Sequence, residues 1–181
     1  GEKTLLELLK YYEEKRKFEV GGLRKINGLV FRDEKGKLEL TGKRELICDL
    51  DEIPLLALDL LKMKELYLIP GPAGANLIGV RGYIMTSRGC PYNCIYCGSN
   101  TAWGGRGVRW NSAERVVDEI KRWIKVYGAN HFVVYDDLMI VNRDRLRKII
   151  DLLEKNGLLN KIDFELYGRA NIIDDEMCRL L

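Results

Sequence analysis

Three cysteines, Cys90, Cys94 and Cys97, follow one another at Cys-x-x-x-Cys-x-x-Cys spacing and offer three thiolates from a single tight loop. Iron–sulfur clusters are held by cysteine thiolates, usually four, so a three-cysteine loop leaves one iron without a protein ligand. An open metal position is where a substrate or cofactor can bind. The competing chemistry is structural zinc, which also takes thiolates but is nearly always closed by four ligands. The spare ligands fit zinc poorly. Cys48 lies in an acidic, proline-terminated stretch, Cys178 in a predicted terminal helix, and His131 opens an apolar run that reads as a buried strand. Cys48 and Cys178 read as packed thiols. Five cysteines without a recognisable signal peptide argue for a reducing, cytoplasmic setting rather than a disulfide framework.

The elements around this loop read as strand, loop and helix in repetition. Tyr83 to Ser87 is an apolar strand leading into the cysteines. Ser112 caps a helix that aligns Val116, Ile120, Trp123, Ile124 and Tyr127, and Gly128 ends it. His131 to Tyr135 is a short continuous apolar run of the kind buried in a parallel sheet, and it delivers Asp136 and Asp137 at its C-terminal end. A second helix from about Asn142 aligns Leu146, Ile149, Ile150 and Leu153 and stops at Gly157. A third strand near Asp163 to Tyr167 precedes Gly168, Arg169 and Asn171, then a helix capped by Asp174. Strands alternating with helices predict an α/β fold with a parallel sheet and functional groups gathered at the strand C-termini. The cysteines, the aspartate pair and Arg169 all fall at such ends.

The cysteine spacing, after an apolar strand and a glycine, resembles the signature of the radical S-adenosylmethionine family. The resemblance implies a 4Fe-4S cluster on Cys90, Cys94 and Cys97, whose unique iron chelates S-adenosylmethionine, and an electron from the cluster then yields a 5'-deoxyadenosyl radical. It implies an electron donor such as flavodoxin or ferredoxin, a small-molecule substrate, and a backbone near the adenine at Tyr96. Asp136 and Asp137 stand where the family receives the amino group of S-adenosylmethionine, and carboxylates accept strong charge-assisted hydrogen bonds from ammonium. The alternative for either aspartate alone is a cap on the following loop. Arg169 is placed to reach the cofactor carboxylate through its guanidinium fork, or to lie on the surface. The loop from Trp103 to Trp110, with several glycines, reads either as a close backbone approach to a ligand with Arg106 or Arg109 facing an anionic group, or as a wrap that shields the cluster from solvent. No residue is assigned a catalytic role of its own.

Upstream, Thr4 and Glu7 read as a capping box for a leucine-rich helix. Gly28 to Phe31 and Lys37 to Leu40 flank Asp33 to Gly36 as a β-hairpin. An Asp-Leu-Asp-Glu-x-Pro stretch from Asp49 to Pro54 follows, then a Gly/Pro connector from Pro70 to Gly74 that reads as a domain junction. This order resembles the cobalamin-associated class of the same family, in which a cobalamin-binding domain precedes the barrel and the reactions include methyl transfer and radical rearrangement. The fold so implied is a partial (β/α) TIM-like barrel with parallel strands, preceded by a helix and a β-hairpin linker region. Residues 1–70 would form the tail of an N-terminal domain with hairpin and linker, and residues 71–181 the N-terminal half of the barrel. A methylthiotransferase-type enzyme of the same family and a non-catalytic zinc-binding module are the alternatives.

Composition adds bounds. A chain of 181 residues that is 46% hydrophobic can bury a real core, and it contains no apolar run long enough to cross a membrane. Thirty basic against 27 acidic residues leave +3, too little for a nucleic-acid footprint. The basic cluster from Arg143 to Lys148 reads as the solvated face of a helix. A start at glycine and three strands where a barrel needs about six read as a partial chain, so the isolated 181 residues are expected to ligate a cluster but turn over poorly. Measured cleavage of S-adenosylmethionine at a normal enzymatic rate would contradict this.

Overall fold

The computed structural model describes residues 1–63 and 80–181. Within it the chain divides into two units, Gly1–Ile47 and Cys48–Leu181. The connector from Pro70 to Gly74, and with it the junction expected near residue 70, lies outside the described residues.

The first unit opens with helix α1 (Glu2–Lys15), for which Gly1 occupies the N-cap position. The predicted capping box does not form. Thr4 sits inside the helix, buried, and its hydroxyl donates to the Asn27 carbonyl at 3.0 Å, while Glu7 pairs with Arg44. Both side chains thus tie α1 to the segment on either side of the hairpin, which a local capping rule cannot foresee. A short helix α2 (Val20–Leu23) follows. Strands β1 (Val30–Arg32) and β2 (Leu38–Leu40) form the predicted antiparallel hairpin in the register Val30↔Leu40. Its turn is closed by the Asp33 carboxylate, which accepts from the Lys35 and Lys37 amides at 2.9 and 2.8 Å. Gly36 supplies the positive φ of 77° that the last turn position needs.

The second unit begins with two 3-10 turns, Leu50–Glu52, capped by Asp49, and Leu58–Leu60. Asp51 reaches forward to accept from the Ser112 amide at 2.9 Å and the Asn111 side chain at 3.1 Å. The acidic stretch is therefore stapled to the second unit. Next come β3 (Val80–Ile84), β4 (Ser87–Arg88), α3 (Ser99–Ala102), β5 (Arg109–Trp110), α4 (Ala113–Tyr127), β6 (Ala129–Val134), α5 (Arg143–Lys155), β7 (Asp163–Glu165) and α6 (Asp175–Leu180). Strands β3, β6 and β7 form one parallel sheet in that order, and β4 and β5 a separate antiparallel pair. This is the α/β architecture of a partial TIM-like barrel.

The helices form where their caps allow. Ser112 accepts the Arg115 amide at 3.1 Å, Asn142 accepts the Arg145 amide at 3.0 Å, and Asp174 accepts the Met177 amide at 2.9 Å. Arg143, first, and then the Met177 N–H hold the Asp174 carboxyl down at about 2. Gly128 closes α4 in the left-handed conformation at φ 70°. The apolar faces of α4 (Val116, Val117, Ile120, Trp123) and α5 (Leu146, Ile149, Leu153) are buried in one core with Ile84, Phe132 and Val134 of the sheet. The opposite sheet face carries charge. Across β3, β6 and β7, Arg81 pairs with Glu165 at 3.8 Å and His131 with Asp163, so His131 is half-buried in an ionic row rather than enclosed in an apolar strand. Register explains this, because successive side chains of a strand alternate between faces. Phe132 is fully buried, and Phe132→Ala should lower the unfolding free energy by about 3–5 kcal/mol, read by chemical denaturation.

Candidate functional site

The parallel sheet ends at a buried carboxylate. Asp136, directly beyond β6 and only 1% exposed, accepts four hydrogen bonds from the residues just beyond β3: Thr86 N at 2.5 Å, Thr86 Oγ1 at 2.6 Å, Ser87 N at 3.0 Å and Ser87 Oγ at 2.6 Å. A carboxylate has about four lone-pair sites, and these donors use them. The strand predicted from Tyr83 to Ser87 is consequently two elements. It leaves the sheet after Ile84, turns on Asp136, and re-pairs at Ser87 with Trp110. Arg145 braces the same turn from α5. Its guanidinium donates to the Thr86 carbonyl at 2.9 Å and the Asn111 carbonyl at 3.0 Å and lies 5.0 Å from the Trp110 ring. Burial pulls the Arg145 pKa down, opposed by Asp136 and Asp51. Burial pushes Asp51 up, but hydrogen bonds from Ser112 and Asn111 and the charge of Arg115 outweigh it and leave the carboxyl below its ordinary range.

The cysteine loop departs from this brace through Gly89, whose φ is 103° and at which a Cβ would stand 2.2 Å from the Gly107 carbonyl oxygen. Only glycine fits there. Cys90 is half-buried against the core, Cys94 is half-buried, and Cys97 is exposed. The Cys97 amide donates to the Cys94 carbonyl at 3.1 Å, and Asn100 donates to the Tyr92 carbonyl at 2.9 Å, so the loop is folded on itself. Tyr96 projects into solvent, 90% exposed. Asp137, exposed at the rim, accepts from Ser99 Oγ at 2.8 Å at the start of α3. Arg169, beyond β7, donates to Cys94 Sγ at 3.0 Å and lies 4.0 Å over the Tyr92 ring. Arg88 of β4 lies over the ring of Trp103 in the loop after the cysteines, and Arg109 donates to the Trp103 carbonyl at 3.2 Å.

The structure thus gathers Cys94 with Arg169, and Asp137 with the segment after Cys97. Asp136 lies beneath the loop and Tyr96 points away from it. Sequence reading missed Thr86, Ser87, Tyr92, Asn100 and Arg145. The hydroxyl pair just before the cysteine loop was the available signal, since adjacent Thr and Ser offer four donors to one carboxylate. The donor set suits an iron–sulfur cluster: soft thiolates select such clusters, and they come from one rim loop with a cationic group against one sulfur. Among the described residues no three His, Cys, Asp or Glu side chains converge on a single-ion site. Beside the rim a cleft of about 310 Å³ is lined by Ile53, Leu56, Tyr83, Met85, Tyr135 and Glu119 among others. Burial raises the Glu119 carboxyl above its ordinary range.

Residues 84–181 match the Radical SAM superfamily, and the chain belongs to it. A protein of Pyrococcus horikoshii described as an uncharacterized methyltransferase is 32% identical over the whole chain, which spans 36% of that relative. The cytidylyl-2-hydroxyethylphosphonate methyltransferase of Streptomyces wedmorensis is 27% identical over 74% of the chain and 29% of the relative. The chain therefore spans about a third of the length of the curated relatives it matches. Among solved structures, the radical S-adenosylmethionine methyltransferase TsrM from Kitasatospora setae, with cobalamin and a [4Fe-4S] cluster bound, superposes with a TM-score of 0.67. That likeness covers 100% of this chain and 34% of that one at 22% identity, and it establishes the shared fold. Among the described residues no helix is long and apolar enough to cross a membrane.

The two adjacent aspartates should respond unequally to neutralisation. Asp136→Asn puts an NH2 donor against donors and should cost roughly 2–4 kcal/mol, given buried hydrogen bonds to a charged group. Amide hydrogen exchange at Thr86 and Ser87 should accelerate with it. Asp137→Asn, at the exposed rim, should stay within about 0.5 kcal/mol of the parent.

Proposed function

We propose that this chain carries the cofactor-loading part of a radical S-adenosylmethionine enzyme of the cobalamin-associated class. Cys90, Cys94 and Cys97 would hold a 4Fe-4S cluster, and the iron without a thiolate would take S-adenosylmethionine. The observation that carries this reading is the convergence of three consecutive parallel strand ends on one cysteine loop. The loop itself extends from β3, Asp137 reaches it from β6, and Arg169 reaches it from β7. When bound, cluster and cofactor supply one-electron cleavage chemistry, while the protein contributes ligation and orientation.

The residues divide the work by burial. Asp136 has its carboxylate filled by Thr86 and Ser87, so its part is to hold the loop's point of departure. Asp137, exposed with Ser99 on one oxygen, is the carboxylate suited to accept from the cofactor's ammonium group. Tyr96, beside Cys97 on the exposed side of the loop, would offer backbone rather than ring to the adenine. Arg169 keeps a positive charge at the same rim, and Gly89 allows the loop to pass against the Gly107 carbonyl. The curated relatives include methyltransferases and a cyclase, which supports methyl transfer or a radical rearrangement on a small-molecule substrate over methylthio transfer. In the full-length enzyme, cobalamin and a flavodoxin- or ferredoxin-type donor would complete the system.

Anaerobic reconstitution with iron and sulfide tests the assignment. A brown protein with broad visible absorbance is expected, lost in Cys94→Ala and kept in Cys48→Ala. With a strong reductant and S-adenosylmethionine, a small yield of 5'-deoxyadenosine should appear. A colourless protein holding stoichiometric zinc and no iron would overturn the reading.

A further inference from the structure

The side chain of Arg169 is restrained on three sides. Its Nη1 donates to Cys94 Sγ at 3.0 Å, its Cζ stands 4.0 Å from the centre of the Tyr92 ring, and its Nε donates to Asn171 Oδ1 at 3.1 Å. Such a flexible side chain is held this way only if each contact offsets part of its rotamer entropy. Guanidinium over an aromatic face is favourable, and the planar fork lets one nitrogen face sulfur while another faces the Asn171 amide. The contact joins residues 75 apart in sequence. It therefore ties the end of β7 to the middle cysteine of the loop.

We propose that Arg169 sets the reduction potential of the cluster through this N–H···S contact and its positive charge, with Tyr92 and Asn171 fixing its aim. The inference rests on the cluster assignment above and departs from the expectation that Arg169 serves the cofactor carboxylate. Hydrogen bonds to the sulfurs, net charge and exposure are the means by which a protein tunes an iron–sulfur potential. Reduction adds one electron, taken from a ferredoxin- or flavodoxin-class donor that is itself oxidised, and makes the cluster more negative. A cation donating to a ligand sulfur stabilises that reduced form, so Arg169 raises the potential and eases electron uptake. Arg169 is in this sense a positioning residue: it acts on the cluster through Cys94.

The test is an EPR-monitored redox titration of the reconstituted chain without S-adenosylmethionine, with iron content measured in parallel. At equal iron content Arg169→Gln should titrate at a more negative midpoint than the parent. Arg169→Lys should fall between them, and Tyr92→Leu should shift in the same direction by less. Parent and Arg169→Gln with the same midpoint at equal iron content would overturn the proposal. A change confined to S-adenosylmethionine affinity, with that midpoint unmoved, would overturn it too and return Arg169 to the cofactor carboxylate. If Arg169→Gln retains no iron, Arg169→Lys and Tyr92→Leu decide, and unshifted midpoints in both would refute it. Failure of the parent chain to take up iron would instead overturn the cluster assignment itself, and this inference with it.

Discussion

The arrangement of the site depends on the bonds between the Asp136 carboxylate and the Thr86-Ser87 pair. Buried charge is costly unless its hydrogen-bonding capacity is filled, and here two amides and two hydroxyls fill it. Because all four donors come from consecutive residues, satisfying the charge also fixes the backbone direction where β3 ends. That direction aims the cysteine loop. Arg145 then closes the outer side of the turn on the Thr86 and Asn111 carbonyls, so the same few residues compensate a buried anion and a largely buried cation.

The brace is only as rigid as the layers beneath it. Ile84, Phe132 and Val134 present one sheet face to α4 and α5, and the caps at Ser112 and Asn142 start both helices from the rim on which the loop sits. Asp51 joins the acidic stretch to the start of α4, which extends the braced region to the residues after Cys48. The other sheet face is ionic, with Arg81, His131, Asp163 and Glu165 paired across the strands. The sheet thus has an apolar, helix-covered side and an opposite side on which ion pairs share the face with Tyr83 and the buried Val133.

Local patterns were legible where local forces decide. The helical stripes of α4 and α5, the glycine that closes α4, the hairpin around Asp33 and the cap at Asp174 each depend on residues a few positions apart. The cysteine spacing was legible for the same reason. The capping box at Thr4 was not, because Thr4 finds a better partner in Asn27, 23 residues away. Nor was the break in the strand after Ile84, since an unbroken apolar and hydroxyl run carries no sign that a carboxylate 50 residues later will draw it out of the sheet. The aspartate pair shows the limit most clearly. Two identical neighbours at one strand end are indistinguishable in sequence, yet one is buried and the other is at the rim.

By itself the sequence determined the chemistry available to this protein: three thiolates at a spacing that leaves a metal position open, carried on alternating strands and helices. Those properties depend on residue type and short-range periodicity. Only the tertiary structure decided which charged groups attend the thiolates, namely that Asp136 supports the loop, Asp137 stands at the rim and Arg169 rests on Cys94. The reason is that burial and partner choice are set by contacts between strands far apart in the chain, and these determine whether a given carboxylate or guanidinium meets solvent, a backbone amide or a sulfur.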